Sequence, residues 1–302
     1  MTCHGNRWAL AACLAGALAG GACDKGGKAP RGRTPALAGW EAERVGVLEG
    51  FQVPECVLVN RQADVVYVSN LEISPGAYWK ADGKGFISLL QAEGVMEKRR
   101  WKDSTASVPL HEPKGMCVVD GVLYVADIFR VMTYPLAGGD GKPIAIPGAK
   151  QLNDMVAHGG FAYVSDTATG KIHKLCLPPM TLKAPESVNG ITFDDKGRMF
   201  AVSWEGHEVY EIDPNGTADP KPFGLADRFQ GLDGIEVLDD GTFVVSDLKA
   251  GKVCLVSPDR KTVTTLAKVK SPADVGLDRL RKLLYVPTLE ENKVVIFKLR
   301  RR

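Results

Sequence analysis

A short unit recurs six times in this chain of 302 residues and constrains the fold more than any other feature of the sequence. Each unit opens with a short motif, mostly polar at its second position. A later apolar strand ends in a small residue and then Asp, Asn or a substitute. A period of about 40 residues with several short strands per unit is typical of β-propeller blades. The openings lie at residues 54–57, 113–116, 152–155, 188–191, 232–235 and 272–275.

Turn signals separate the strands within each unit. Asp120-Gly121 and Asp240-Gly241 stand between an opening and the apolar strand that follows it, as hairpin turns do. The closing ends of these second strands are placed at residues 67–70, 124–127, 163–166, 201–204, 244–247 and 285–288. The sequence therefore predicts an all-β fold, a six-bladed β-propeller with four-stranded blades.

Two segments lie outside the repeat. Residues 44–48 precede the first blade and have no partner there, so we expect them to form the outer strand of blade six beside residues 293–298. This N-terminal strand would close the ring and cover its edges. Residues 71–85 form an extra loop in blade one. It either lies beside a tunnel mouth, where it would cover a ligand, or is a surface insertion without a role.

The N-terminus has the composition of an export signal. Arg7 precedes an apolar run that is too short to span a bilayer and that ends in small residues. We expect residues 1–22 to be a signal peptide, 23–39 a polar tether and 40–302 the propeller. Cys23 resembles the lipidated cysteine of bacterial lipoproteins; the alternative is plain secretion after cleavage at Ala22. The predicted location is the periplasm or cell envelope, with membrane contact only through a lipid anchor.

The charge balance excludes one class of partner. Lys and Arg total 38 and Asp and Glu total 36, for a net charge of +2, which gives no reason to expect nucleic-acid binding. A small-molecule substrate or ligand and a monomeric protein are the expectations.

The cysteines do not form a metal-binding pattern. Cys56, Cys117, Cys176 and Cys254 are irregularly spaced in apolar runs, and no CxxC motif occurs. Buried free thiols are the simplest interpretation, with a disulfide between Cys56 and Cys117 as the alternative that export permits.

The second positions of the six openings should form a ring, because the first strand of each blade borders the central tunnel. Charged and amide groups at a crowded axis need partners, and a shared cation would supply one. Their oxygens suit one hard divalent cation, Ca²⁺ first and then Mg²⁺ or Mn²⁺. The alternatives are a Glu55–Lys114 ion pair or a water-filled tunnel. The ring consists of Glu55, Lys114, Asn153, Asn189, Asp233 and Ala273.

These opening motifs resemble those of the regucalcin and gluconolactonase family of six-bladed propellers, with Pro-Glu, Asn-Asp, Asn-Gly and Asp-Gly in blades one, three, four and five. The resemblance implies that Glu55, Asn189 and Asp233 bind one divalent ion, that Asp233 is also a general base, and that Asn153 contacts substrate. Gln151 stands where the sugar-lactone enzymes of that family have Arg.

The leading hypothesis is metal-dependent hydrolysis of a lactone or similar cyclic ester. Asp233 would accept a proton from water, Lys114 would stabilise the oxyanion and Asn153 would orient the substrate. Asp154 is expected to cap a strand or turn. One alternative is a non-catalytic binding propeller of the cell envelope with a structural ion, and another is an interaction scaffold with an empty tunnel.

Overall fold

The computed structural model describes residues 39–73 and 78–302, and these residues form six four-stranded antiparallel sheets. The predicted six-bladed β-propeller is confirmed. Within the described ranges the one helical element is a three-residue 3₁₀ turn at Ala226–Arg228, and none is long and apolar enough to cross a membrane. The expected signal peptide and Cys23 lie outside the described residues.

The blades follow one another in chain order, and blades one to five are each a meander from an inner to an outer strand, whereas blade six takes its outer strand from the start of the described chain. Blades one to three consist of β2 (Pro54–Asn60), β3 (Val65–Asn70), β4 (Phe86–Gln91), β5 (Met96–Asp103), β6 (Pro113–Val119), β7 (Val122–Asp127), β8 (Arg130–Pro135), β9 (Lys142–Ala145), β10 (Leu152–His158), β11 (Phe161–Asp166), β12 (Lys171–Leu175) and β13 (Met180–Lys183). Blades four to six consist of β14 (Val188–Phe193), β15 (Met199–Ser203), β16 (Glu208–Ile212), β17 (Lys221–Pro222), β18 (Leu232–Val237), β19 (Phe243–Asp247), β20 (Lys252–Val256), β21 (Val263–Lys268), β22 (Gly276–Asp278), β23 (Leu283–Thr288), β24 (Lys293–Arg301) and β1 (Trp40–Leu48).

The apolar core lies between neighbouring blades, because each sheet buries side chains on both faces. Between blades four and five, for example, Phe200 of β15 packs against Phe243 of β19 with ring centroids 4.8 Å apart. The first strands of successive blades also contact one another along the axis. Their first residues therefore converge at one end of the tunnel.

The ring is closed at two radii. On the outside, β1 pairs with β24 in antiparallel register from Trp40 opposite Arg301 to Leu48 opposite Val294, as the sequence predicted. On the inside, the Asp274 backbone N–H donates to the carbonyl of Glu55 in blade one (2.9 Å). Blade six differs from the other blades at this contact. Its first regular strand is the short β22, which begins after the opening residues 272–275, whereas the first strands of the other blades begin with their opening residues.

The register of blade four differs from the predicted alignment by one residue. Val188 of β14 pairs with Ser203, just as Leu232 of β18 pairs with Asp247 in blade five. Ser203, and not Trp204, therefore occupies the closing position of this blade. A one-residue slip would exchange the two faces of β15, but all five of its residues are buried, so the sequence pattern fits either register and only the backbone pairing distinguishes them.

The closing residue of most blades fastens the segment that leads into the first strand. Asp166 accepts hydrogen bonds from the backbone N–H groups of Lys150 and Gln151, both at 3.0 Å. Asp127 accepts from two such groups, Asp247 likewise, and Asn70 from one. These contacts satisfy buried backbone donors and hold the head of each inner strand in place.

The cysteines of the described residues are all free thiols, including Cys56 and Cys117, so the alternative of a disulfide between these two does not hold. Both lie buried on inner strands of different blades. The default expectation of buried free thiols is met for Cys56, Cys117 and Cys254, whereas Cys176 is partly exposed.

The inner strands approach so closely that some positions admit only glycine. A Cβ atom on Gly190 would lie 2.4 Å from the carbonyl oxygen of Asp233 in the next blade, and one on Gly115 would lie 2.4 Å from Cα of Asp154. Backbone atoms cannot give way there without displacing a strand. These contacts narrow the tunnel directly below the strand heads.

Replacement of Asp166 by Asn tests the fastening role of the closing residues. Burial alone would raise the pKa of Asp166, but the His173 imidazole and the N–H groups of Gln151 and Lys150 lower it to about 2. The carboxylate therefore contributes stability above the unfolded-state pKa that is lost as pH falls towards 2. We expect Asp166→Asn to lower the free energy of unfolding by about 1 to 2 kcal/mol at pH 7, after allowance for solvent screening.

Urea unfolding of the wild type and Asp166→Asn at pH 7, 5 and 3 measures this difference, which should shrink at the lowest pH. The exposed Asp219, changed to Asn, is the control and should behave as the wild type. A difference that stays constant across these pH values would contradict the assignment.

Replacement of Gly190 by Ala tests the close approach of the inner strands. The added methyl group must displace the backbone of blade five, and overpacking of this kind costs about 1 to 3 kcal/mol. Gly46→Ala is the matched control, because its Cβ would meet only Ile296 side-chain atoms at 3.5 Å or more. Equal urea midpoints for the two variants would show that the strands are not in tight contact.

Candidate active site at the tunnel mouth

Five of the six ring positions predicted from the repeat line one cavity of about 850 Å³ at the end of the tunnel where the first strands begin. Each is the second residue of its strand, and each is at least nine-tenths buried. The sixth, Ala273, packs instead in an apolar cluster with Leu71 and Leu289. The structure therefore brings together Glu55, Lys114, Asn153, Asn189 and Asp233.

Glu55 and Lys114 form the ion pair at one side of this ring. Lys114 Nζ lies 3.4 Å from Glu55 Oε1, and both side chains are almost fully buried. Burial raises the pKa of Glu55, while the charge of Lys114 acts in the opposite direction. Within the described residues, Glu55 Oε2 has no hydrogen-bond partner. One lysine thus leaves half of this carboxylate unsatisfied.

Asp233 enters the same cavity from blade five. Burial and then the negative charge of Glu55 raise the pKa of Asp233 to about 8, and the charge of Lys114 only partly offsets this. The Asn189 amide lies beside Asp233 and donates to the carbonyl of Leu232 at 3.5 Å. The site therefore holds two buried carboxyl groups and one ammonium, and without a further cation the ionised form of Asp233 is disfavoured.

Asn153 lies on the wall formed by blade three. Its Nδ2 donates to Thr167 Oγ1 at 3.2 Å, and Thr167 donates in turn to the carbonyl of Val188 at 2.8 Å. Since the amide nitrogen is committed to this chain, the amide oxygen is the atom suited to accept a hydrogen bond from a ligand. Gln151 lines the same wall.

A second polar cluster lies one residue further along the same strands. The thiol of Cys56 and the carboxyls of Asp154 and Asp274 lie within 4.8 Å of one another. Asp154 accepts hydrogen bonds from the N–H groups of Met155 and Ile191, both at 2.6 Å. These donors lie inside β10 and β14, so the carboxylate bridges two inner strands and does not cap a strand end or a turn. The cluster borders a cavity of about 310 Å³ at the opposite mouth, so it does not line the candidate active site.

The loop of blade one reaches the site. Glu112, which is fully buried, accepts hydrogen bonds from the backbone N–H groups of Trp79 and Lys80 at 2.6 and 2.5 Å. The Trp79 ring centroid then lies 4.4 Å from Lys114 Nζ. Trp79 belongs to the described part of the 71–85 loop and lines the cavity. The alternative that places this loop beside a tunnel mouth is therefore met.

Sequence reasoning missed several residues of this site. Trp79 stands in a loop without periodicity, and Trp204 was assigned to a strand end. A signal for Trp204 exists in the repeat. In four blades the residue directly after the closing residue lines the cavity, and Trp204 directly follows the closing residue Ser203. These four residues are Thr167, Trp204, Leu248 and Leu289.

Comparison with known proteins adds the fold relationship. Neither the models of known protein families nor the curated proteins include a match to this chain. A solved structure of a proposed gluconolactonase superposes with a TM-score of 0.63 at 17% identity, over 88% of this chain and 94% of its own. A catalytically inactive variant of virginiamycin B lyase from Staphylococcus aureus, solved with quinupristin, gives 0.59 at 12% identity, over 86% and 99%.

A streptogramin B lyase gives a TM-score of 0.59 at 11% identity, over 86% of this chain and 97% of that structure. At these identities the similarity concerns the fold and not the chemistry. The chain thus shares the β-propeller fold, over nearly the full length of each neighbour, with a proposed gluconolactonase and with two lyases.

Proposed function

We propose that this protein hydrolyses a lactone or a similar cyclic ester at the polar ring of the tunnel mouth, with the aid of one divalent cation. The observation that carries the proposal is the buried carboxylate of Glu55, whose Oε2 lacks a partner beside a second buried carboxyl, Asp233. Unpaired buried carboxylate oxygens are costly, and a cation would satisfy them together.

The donor set fits a hard cation. Glu55, Asn189 and Asp233 offer carboxylate and amide oxygens, and the lining of the cavity includes neither His nor Cys among the described residues. Such oxygens favour Ca²⁺ first, then Mg²⁺ or Mn²⁺. When bound, the ion would polarise the ester carbonyl and make a water molecule more acidic.

The side chains of the ring would divide the remaining work. Asp233 would take a proton from water as the water oxygen bonds to the carbonyl carbon. Lys114 would stabilise the negative charge that develops on the carbonyl oxygen. The ring C–O bond then breaks, and the alkoxide takes up the proton held by Asp233 to give a hydroxy acid. Asn153 would orient the substrate through its amide oxygen.

A non-catalytic ligand-binding propeller is the second candidate. Gln151 in the cavity wall favours it, because the sugar-lactone enzymes that the opening motifs resemble have Arg at that position. For both candidates we propose a protein exported from the cytoplasm and anchored through a lipid on Cys23, with plain secretion after cleavage behind Ala22 as the alternative. The neighbours named as a proposed gluconolactonase and as lyases support an enzyme, since this fold supports catalysis in some of them.

The test combines metal analysis with a lactone panel. We expect the purified propeller to contain about one divalent ion per chain and to lose lactone hydrolysis on chelation, with recovery on adding Ca²⁺. Asp233→Asn should lower kcat by about 100-fold or more, because it removes the proton acceptor, and it should weaken metal binding. Steady-state kinetics and elemental analysis measure these effects.

Asp227→Asn is the matched control, since Asp227 lies exposed on the 3₁₀ turn just before the same blade and should retain wild-type kinetics. Metal binding without turnover of any lactone would favour the binding propeller. Hydrolysis in ¹⁸O-labelled water must place the label in the product acid; an unlabelled, unsaturated product would instead indicate elimination and refute the hydrolase.

A further inference from the structure

The cavity wall above the polar ring is apolar on one side. Trp204 of blade four, Leu248 of blade five and Leu289 of blade six follow their closing residues and line the mouth. Leu248 and Leu289 belong to the apolar cluster around Ala273. The next residue in each blade, Glu205, Lys249 or Glu290, is exposed and also lines the cavity, so the wall has an apolar inner part and a charged outer rim.

Two tryptophans lie on opposite sides of this mouth. Trp79 lies between blades one and two, because its ring stands 4.4 Å from Lys114 Nζ. Trp204 lies between blades four and five, because its ring stands 4.5 Å from Lys249 Nζ. In a ring of six blades these two boundaries face each other across the axis.

Both indole rings are only partly buried and border the cavity. A lysine ammonium lies over one face of each ring, and the remaining exposed surface of the ring gains free energy when a flat apolar group covers it. Trp79 is held for this by the two hydrogen bonds from its own and the next N–H group to Glu112. The fixed position lowers the entropic cost of binding a ring against it.

The part of the wall that blade three forms is polar. Asn153, Thr167 and Thr169 of blade three line it, and they lie close to the ester-binding position proposed above. A ligand that fits both parts has a polar ester at one end and an apolar ring at the other. A polyhydroxylated sugar lactone would leave its hydroxyl groups unpaired against Trp204, Leu248 and Leu289.

We propose that the cyclic ester carries an aromatic substituent, which binds between Trp79 and Trp204 while the ester group lies on the polar ring. This inference rests on the proposed function and specifies its substrate class. The cavity of about 850 Å³ is large enough for such a molecule.

The experiment uses matched probes and matched variants of the full propeller. The substrates are δ-valerolactone, its phenyl-substituted form and glucono-δ-lactone. The non-hydrolysable probe is 2-phenyltetrahydropyran, the cyclic ether that corresponds to the phenyl lactone, and its binding is measured by calorimetry.

The variants are Trp204→Ala, Trp204→Phe and Trp101→Ala. Trp101 also pairs with a lysine, Lys102 at 4.8 Å, but it lies on the outer strand of blade one.

The expected result is a preference for the phenyl lactone over both other lactones in kcat/KM. Trp204→Ala should lower the ratio of phenyl to unsubstituted kcat/KM by about tenfold, Trp204→Phe should restore most of it, and Trp101→Ala should leave it unchanged. The phenyl ether should bind the wild type and bind Trp204→Ala about tenfold more weakly.

Hydrolysis of all three lactones without preference for the phenyl form would overturn the inference and leave the hydrolase standing. Binding of the phenyl ether that depends on Trp204, with no lactone turned over, would support the ligand class and refute the hydrolase. The same loss of binding in Trp101→Ala as in Trp204→Ala would overturn the inference, since it would reflect general destabilisation. Trp204→Phe keeps the test decisive if the alanine variant fails to fold.

Discussion

The contact between Lys114 and Glu55 at the axis is the interaction on which the organisation of this site depends. Two carboxyls and one ammonium line the same cavity and are each at least nine-tenths buried, which strengthens Coulomb interactions between them and makes unpaired charge costly. One lysine cannot neutralise both carboxyls. This imbalance is the observation behind the proposal that the tunnel mouth binds a cation.

The scaffold holds these groups in place from strands and not from loops. The closing residues bind the N–H groups that precede the inner strands, and glycines such as Gly190 allow those strands to come into backbone contact. Ring closure by β1 and by the Asp274–Glu55 bond prevents the blades from opening. A site built on such elements positions its side chains more accurately than one built on mobile segments.

The repeat was sufficient to predict the fold and five members of the polar ring, because equivalent strand positions in a closed propeller must meet at the axis. It was not sufficient for the register of blade four or for blade six. The strand that ends at Ser203 is buried along its whole length, so its sequence fits either register. Asp274 bonds to blade one through its backbone, which the side-chain pattern does not encode. Trp79 was missed because a buried carboxylate 33 residues away, Glu112, places it.

By itself the sequence determined how many blades there are, which residues head their inner strands and which oxygen donors the chain can offer a cation. These follow from local periodicity and from side-chain chemistry. Only the tertiary structure decided that Glu55 Oε2 is without a partner among the described residues, that Cys56 belongs to a separate cluster, and that Trp79 and Trp204 line one cavity. Such properties depend on distances between residues far apart in the chain, which only the packing of the blades establishes.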